Sequence, residues 1–211
     1  MTRPQRTESV PVTPEDIELE GVWLSGPARP AVVAPPHPVY GGHLDHPVCV
    51  ELAGGLHGAG YSPLRFNWRG VGASQGSVSG DFEAARRDYA AALDHATAAL
   101  APPALAAGYS FGAAAALRVG LDDDRVGALL LVSPPAAMLA GMPLEVFEGP
   151  LWAISGGDDE FSPAEKLTEQ IGRAPRGELR ILPGVDHFFS FGGIAEVREF
   201  ASRAEAFRPP G

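Results

Sequence analysis

Ala104-Leu-Ala-Ala-Gly108-Tyr-Ser110-Phe-Gly112-Ala-Ala-Ala-Ala-Leu117 reads as a short buried strand, a very sharp turn and a helix. Its centre, Gly108-Tyr109-Ser110-Phe111-Gly112, matches Gly-x-Ser-x-Gly, the elbow that presents a nucleophilic serine at the carboxyl end of a parallel strand. A strained serine there requires neighbours without Cβ atoms, so that strand and helix pass close to one another. The alanines from Ala113 to Ala116 continue this logic, because small side chains let the helix lie tight against a sheet and alanine is the best helix former.

Three fixed positions are weak evidence in a chain with 26 glycines. Chance alone supplies roughly 0.2 matches, and the chain contains a second one, Gly72-Ala-Ser74-Gln-Gly76. Context separates the two. Ser74 lies in a glycine- and serine-rich stretch with no apolar run before it and no helix directly after it, which predicts a loop. Ser110 has both flanks.

Working outward, 211 residues suit one domain with a substantial core. A formal net charge of -10 argues against nucleic acid or an anionic membrane as partner. The single cysteine, Cys49, excludes an internal disulfide and sits among apolar residues of an expected helix, where a small buried thiol is the default. No apolar run approaches the length of a membrane span and the amino terminus leads into no hydrophobic segment, so a cytoplasmic protein is expected.

Residues 1–8 read as a polar, loosely ordered tail, and 9–211 as a single domain. Val10 and Val12, then Ile17, Leu19 and Trp23, alternate with polar neighbours around Pro14-Glu-Asp, which suggests an antiparallel edge hairpin. Ala31 to Ala34 is a short apolar strand covered on both faces. From there helices (46–59, 81–100 capped by Asp81, 111–121, 163–171, 194–207) alternate with strands (62–68, 105–109, 126–132, 151–154, 179–182). The alternation predicts an α/β fold: a mostly parallel sheet with helices on both faces.

In such sheets chemistry gathers at the carboxyl ends of the strands. Ser155-Gly-Gly-Asp158-Asp159-Glu160-Phe161 follows one strand and Pro183-Gly-Val-Asp186-His187-Phe188 another. A serine hydroxyl is a poor nucleophile until a neutral imidazole takes its proton, and the imidazole needs a carboxylate to fix its tautomer. Each signal has an ordinary explanation. An aspartate after a strand is more often a turn former or helix cap, as Asp158 is read here. His187 among phenylalanines suits a packed side chain, and His37, His43, His46, His57 and His95 show that the type is not scarce. The conjunction of Ser, Asp and His in order, each at a strand end, favours chemistry.

Pro36-His37-Pro38-Val39-Tyr40-Gly41-Gly42, Phe66-Asn-Trp68-Arg69-Gly70-Val-Gly72-Ala-Ser74, the Gly108 elbow, Gly156-Gly-Asp-Asp159-Glu160 and Asp186-His187-Phe188-Phe189 together resemble a small bacterial subgroup of lidless α/β-hydrolases. The resemblance spans about residues 8 to 208. It implies the α/β-hydrolase fold without a cap domain, an intracellular serine hydrolase of carboxylesterase type, and a triad of Ser110, Asp159 and His187. The subgroup usually shows His-Pro-His-Pro where this chain has Pro35 in place of the first histidine.

For the oxyanion hole, the N–H of Phe111 is expected to be joined by one from the loop after Ala34. Pro35, Pro36 and Pro38 have none to offer, so His37 is the first choice, with Val39 and Tyr40 behind it. Arg69-Gly70-Val-Gly72 is read as structural. Only about 134–150 stands where many α/β-hydrolases insert a lid, too short for a helical cap; Met138, Leu139, Met142, Val146 and Phe147 could at most form an apolar flap, and core packing explains some of them equally well. Tyr40, Met138, Phe161 and Phe188 are the expected pocket residues. The expected activity is hydrolysis of small carboxylic esters or thioesters through an acyl-enzyme, without metal or cofactor, by a monomer or homodimer. The alternatives are a non-catalytic ligand-binding protein and a peptidase or perhydrolase on the same scaffold.

Overall fold

The computed structural model describes residues 5–27 and 29–204. Eight strands form one sheet in the order β1-β2-β4-β3-β5-β6-β7-β8, the elements being β1 (Gln5–Val12), β2 (Ile17–Leu24), β3 (Pro30–Ala34), α1 (Pro47–Gly58), β4 (Ser62–Phe66), α2 (Phe82–Ala99), β5 (Ala104–Tyr109), α3 (Phe111–Asp122), β6 (Val126–Val132), α4 (Ala136–Leu139), β7 (Leu151–Gly156), α5 (Ala164–Ile171), β8 (Gly177–Leu182) and α6 (Ile194–Ser202). β2 runs antiparallel to both β1 and β4, and the pairs from β4 through β8 are parallel.

The central strands are apolar on both sides because both sides are covered. On β5, Leu105, Ala107 and Tyr109 face a core formed with Val48, Cys49 and Leu52 of α1 and with Val197 and Phe200 of α6. Ala104 and Ala106 face Tyr89 and Leu93 of α2 and Ala113 to Leu117 of α3. Asp81 caps α2 by accepting from the N–H of Ala84 at 2.6 Å. Tyr89 ties that helix to the sheet: its hydroxyl lies 3.0 Å from the carbonyls of Val32 and Ala107 and accepts from the N–H of Ala107 at 2.8 Å.

Three expectations are corrected. Residues 5–8 are not a tail but the first half of β1, paired residue by residue with β2 from Gln5↔Leu24 onward, while residues 1–4 lie outside the described residues. Gln5, Arg6 and Thr7 are exposed, so this part of the edge strand is held by main-chain hydrogen bonds and carries no apolar alternation to betray it. The closing helix ends at Ser202; residues 205–207 of its expected span lie outside the described residues. Core packing takes most of 134–150: the segment winds into α4 and a single turn at Leu144–Val146, with Leu139, Met142, Leu144 and Phe147 buried in the core and Val146 exposed, so that of the five expected flap residues Met138 alone lines the cleft. Hydrophobic side chains in this short crossover gain more from the core of α3 and β6 than from covering an open cleft. Among the described residues, no cap domain covers the carboxyl end of the sheet.

Candidate active site

Ser110 sits where β5 stops and α3 begins, with φ 55° and ψ −119°, a conformation that costs an ordinary residue about 1–3 kcal/mol. The surrounding glycines make it sterically possible. A Cβ on Gly108 would lie 2.3 Å from the carbonyl oxygen of Gly112, and one on Gly112 would lie 2.4 Å from the carbonyl oxygen of Pro35. The backbone of the loop after β3 therefore rests directly against the first turn of α3.

The turns after β7 and β8 bring the other two side chains in. The N–H groups of Gly157 and Asp158 donate to the carbonyls of Leu182 (2.8 Å) and Val185 (3.0 Å), which ties the two turns together. Asp158 points to solvent and closes the turn, whereas Asp159 is buried. Asp159 Oδ1 accepts from the N–H groups of Phe161 (3.0 Å) and Ser162 (2.9 Å), and Oδ2 from the hydroxyl of Ser155 (3.2 Å). Burial pushes its carboxyl pKa upward, but the hydrogen bond and positive charge of His187, a neighbouring serine hydroxyl and the Ser162 N–H outweigh this and hold it below the usual range. On the last turn, Asp186 accepts from the N–H of Ser190 at 2.9 Å, which presents His187 inward.

His187 Nδ1 lies 2.8 Å from Asp159 Oδ2, and His187 Nε2 lies 2.9 Å from Ser110 Oγ. A carboxylate can only accept, so the proton sits on Nδ1 and the Nε2 lone pair faces the serine hydroxyl. Ser74 is nowhere in this constellation. Its hydroxyl accepts from the N–H of Glu20 (2.9 Å) and donates to the carbonyl of Asn67 (3.0 Å), tying a loop to β2. Arg69, in the adjoining glycine-rich turn, pairs with buried Asp88 and with Glu15, both at 2.6 Å.

Of the three loop donors considered for the oxyanion, two are engaged. The N–H of Val39 donates to His37 Nδ1 (3.2 Å) and that of Tyr40 to the His37 carbonyl (3.1 Å). The N–H groups of His37 and Phe111 have no partner among the described residues. The indole of Trp68 fixes this loop by donating to the carbonyls of Pro35 (3.2 Å) and Pro36 (3.0 Å), and the rings of His37 and Phe111 pack with centroids 4.6 Å apart.

Ser110 and His187 open on a cleft of about 590 Å³. Tyr40, Met138, Phe161 and Phe188 all line it, and Val39 does not. Tyr40, Phe161 and Phe188 are exposed at its mouth. Among the described residues, no Asp, Glu, Lys or Arg contributes to the lining. Among the described residues, no group of three His, Cys, Asp or Glu side chains is placed to hold a metal ion.

Sequence reasoning passed over three contributors. Tyr109, a variable position of the elbow, donates its hydroxyl to the carbonyl of His187 at 2.8 Å. Ser155 reaches Asp159 from the end of β7. His46 lines the cleft from the start of α1; the His-Pro pair at a helix start signals a cap, but nothing local reveals that the ring lines the same cleft as Ser110.

A mostly parallel eight-stranded sheet with a serine on the elbow after its fifth strand and Ser, Asp and His following in chain order defines an α/β-hydrolase. The chain belongs to that superfamily, and within it to the family described as serine aminopeptidase, S33, whose model matches residues 40–149, a span that includes Ser110 and ends before Asp159 and His187. An uncharacterized protein of Rickettsia prowazekii is 30% identical over 178 residues, covering 76% of this chain and 72% of that protein. Among solved structures, an alpha-beta serine hydrolase homologue from Coxiella burnetii is 28% identical with a TM-score of 0.82, covering 97% of this chain and 98% of that one. A serine hydrolase without lid from Xanthomonas campestris shares the fold at 21% identity, with a TM-score of 0.81 over 100% of this chain and 99% of the other. The family is one of hydrolases that includes peptidases, and among the described residues no helix is long and apolar enough to cross a membrane.

Proposed function

We propose that the protein is a serine hydrolase of carboxylesterase type, cleaving small, uncharged carboxylic esters through an acyl-enzyme on Ser110. The observation that carries this reading is the unbroken chain from Ser110 Oγ to His187 Nε2 (2.9 Å) and from His187 Nδ1 to Asp159 (2.8 Å). Ser110 Oγ attacks the ester carbonyl carbon while His187 Nε2 takes its proton, and ionised Asp159 stabilises the imidazolium. The N–H groups of Phe111 and His37 receive the oxyanion of the tetrahedral intermediate. Collapse breaks the carbon–oxygen bond, the alcohol leaves with the proton from His187, and water, activated by the same imidazole, then releases the acid and restores Ser110.

The family also contains aminopeptidases, whose substrates carry a free ammonium group. Binding that group inside a cleft calls for a carboxylate partner. Among the described residues the lining offers none, and Asp159 lies behind His187 and is bound to it, which favours esters over peptides. Labelling by a fluorophosphonate probe and turnover of 4-nitrophenyl acetate and butanoate, compared with alanine 4-nitroanilide, tests the reading. Labelling lost in Ser110→Ala and turnover of the esters alone is expected. An unlabelled wild-type protein overturns the enzyme assignment, and faster turnover of the anilide overturns the ester assignment.

A further inference from the structure

His46 occupies a position that the triad does not use. It is half-buried at the start of α1, one residue before Pro47, and it lines the cleft beside Tyr109, with ring centroids 5.0 Å apart. Its Nδ1 accepts from the N–H of Val48 at 3.3 Å, as a side-chain cap for α1. That bond fixes the tautomer, because a ring nitrogen that accepts carries no proton; in the neutral imidazole the proton is then on Nε2. Burial, with a smaller push from His43, lowers the pKa of His46, which favours the neutral ring. Nε2 has no partner among the described residues and is not sealed from solvent. The cap thus holds a neutral N–H donor in a wall that is otherwise mainly aromatic and aliphatic.

We propose that His46 is a specificity-determining residue, whose Nε2–H donates to a neutral oxygen of the substrate other than the ester group, so that the preferred substrates are uncharged esters bearing an ether or hydroxyl oxygen. This rests on the esterase reading above. A cleft with no charged lining residue selects against ionised substrates, and a fixed donor discriminates between an oxygen and a methylene of the same size, since the plain alkyl chain leaves the donor without its partner.

Two near-isosteric ester pairs test it: 4-nitrophenyl methoxyacetate against butanoate, with the oxygen in the acyl part, and 2-methoxyethyl butanoate against butyl butanoate, with the oxygen in the alcohol. The reading is the ratio of kcat/KM within each pair, compared between wild type and variants so that intrinsic reactivity cancels. His46→Ser retains a capping oxygen but is too short to reach the cleft; His46→Phe retains a ring against Tyr109 but has no donor. In at least one pair the ratio is expected to fall roughly 3- to 10-fold in both variants. An unchanged ratio in either folded variant, for both pairs, overturns the role of His46. The same ratios taken as Kd in the Ser110→Ala background, where esters bind without turnover, separate the two questions. Ratios that depend on His46 there, without turnover by wild type, retain the subsite and overturn the esterase reading; equal Kd values with turnover do the reverse.

Discussion

Replacing Asp159 with asparagine exchanges one acceptor oxygen for a donor, and the surrounding bonds dictate which. The N–H groups of Phe161 and Ser162, at 3.0 and 2.9 Å from Oδ1, demand an acceptor there, so the asparagine oxygen takes that place. Its amide NH2 then occupies the Oδ2 position, 2.8 Å from His187 Nδ1, while the oxygen stays at the Oδ1 position, 2.9 Å from the same nitrogen and already shared between two main-chain donors. A donor facing Nδ1 moves the imidazole proton to Nε2, where it points at Ser110 Oγ across 2.9 Å and prevents the serine from giving up its own proton. The wrong tautomer costs up to about 10⁴-fold in kcat at neutral pH, or about 5.5 kcal/mol of barrier at 1.36 kcal/mol per tenfold. Asp158→Asn, at the exposed neighbouring position, is expected to remain within about twofold, since the turn bond there comes from its main-chain N–H. The assay is kcat on 4-nitrophenyl butanoate at pH 7.5, with circular dichroism of each variant matched to wild type. An Asp159→Asn protein within tenfold of wild type, or the larger loss in Asp158→Asn, refutes the argument. Because the Asp159 carboxyl is held below its ordinary value, the stability it confers is fully present above about pH 4, near the unfolded carboxylate pKa, and is lost as pH falls through the lower folded value.

Ser74→Ala removes two hydrogen bonds, to Glu20 and Asn67, and is expected to cost about 1–3 kcal/mol of stability in urea unfolding while probe labelling persists; loss of labelling in a folded Ser74→Ala protein contradicts the choice between the two elbow matches. Gly112→Ala drives a Cβ to 2.4 Å from the Pro35 carbonyl, so a drop of about 3 kcal/mol or more is expected, and a melting temperature equal to that of wild type refutes the close approach. Cys49 is fully buried and its thiol is pushed up to about 12, so an aromatic disulfide reagent at pH 8 is expected to react only after guanidinium unfolding; rapid reaction of the native protein is the contrary result. With no cap over the cleft, the rate on short-chain esters is expected to rise smoothly through the solubility limit, and a jump there speaks for a moving cover.

The alternation of strands and helices was legible in the sequence because it rests on local signals: apolar runs of strand length, helical periodicity, the Asp81 cap and the crowding of glycine and alanine around Ser110. The expected bounds of the strand from Val126 to Val132 coincide with the observed ones, since the apolar run Val-Gly-Ala-Leu-Leu-Leu-Val is of strand length and bounded by polar and proline-containing turns. The order Ser, Asp, His was likewise visible, because chain order and strand ends are properties of the sequence. The polar start of β1 was not, for an exposed edge strand is specified by its partner's main chain and not by its own side chains.

Tertiary structure alone decided how these pieces meet. Ser110 and His187 are 77 residues apart and Asp159 and His187 are 28 apart, distances closed only when β5 to β8 lie side by side in the sheet. Which loop N–H groups remain free depended on the turn at Pro38–Tyr40 drawing in those of Val39 and Tyr40 and leaving that of His37. Whether the residues around Met138 cover the cleft or fill the core depended on what lay beneath them. His46 and Tyr109 entered the site through packing between α1 and β5 that no local pattern encodes. Periodicity and turn chemistry are written within a few neighbouring residues, but a side chain's partners across a sheet depend on the folded path of the whole chain.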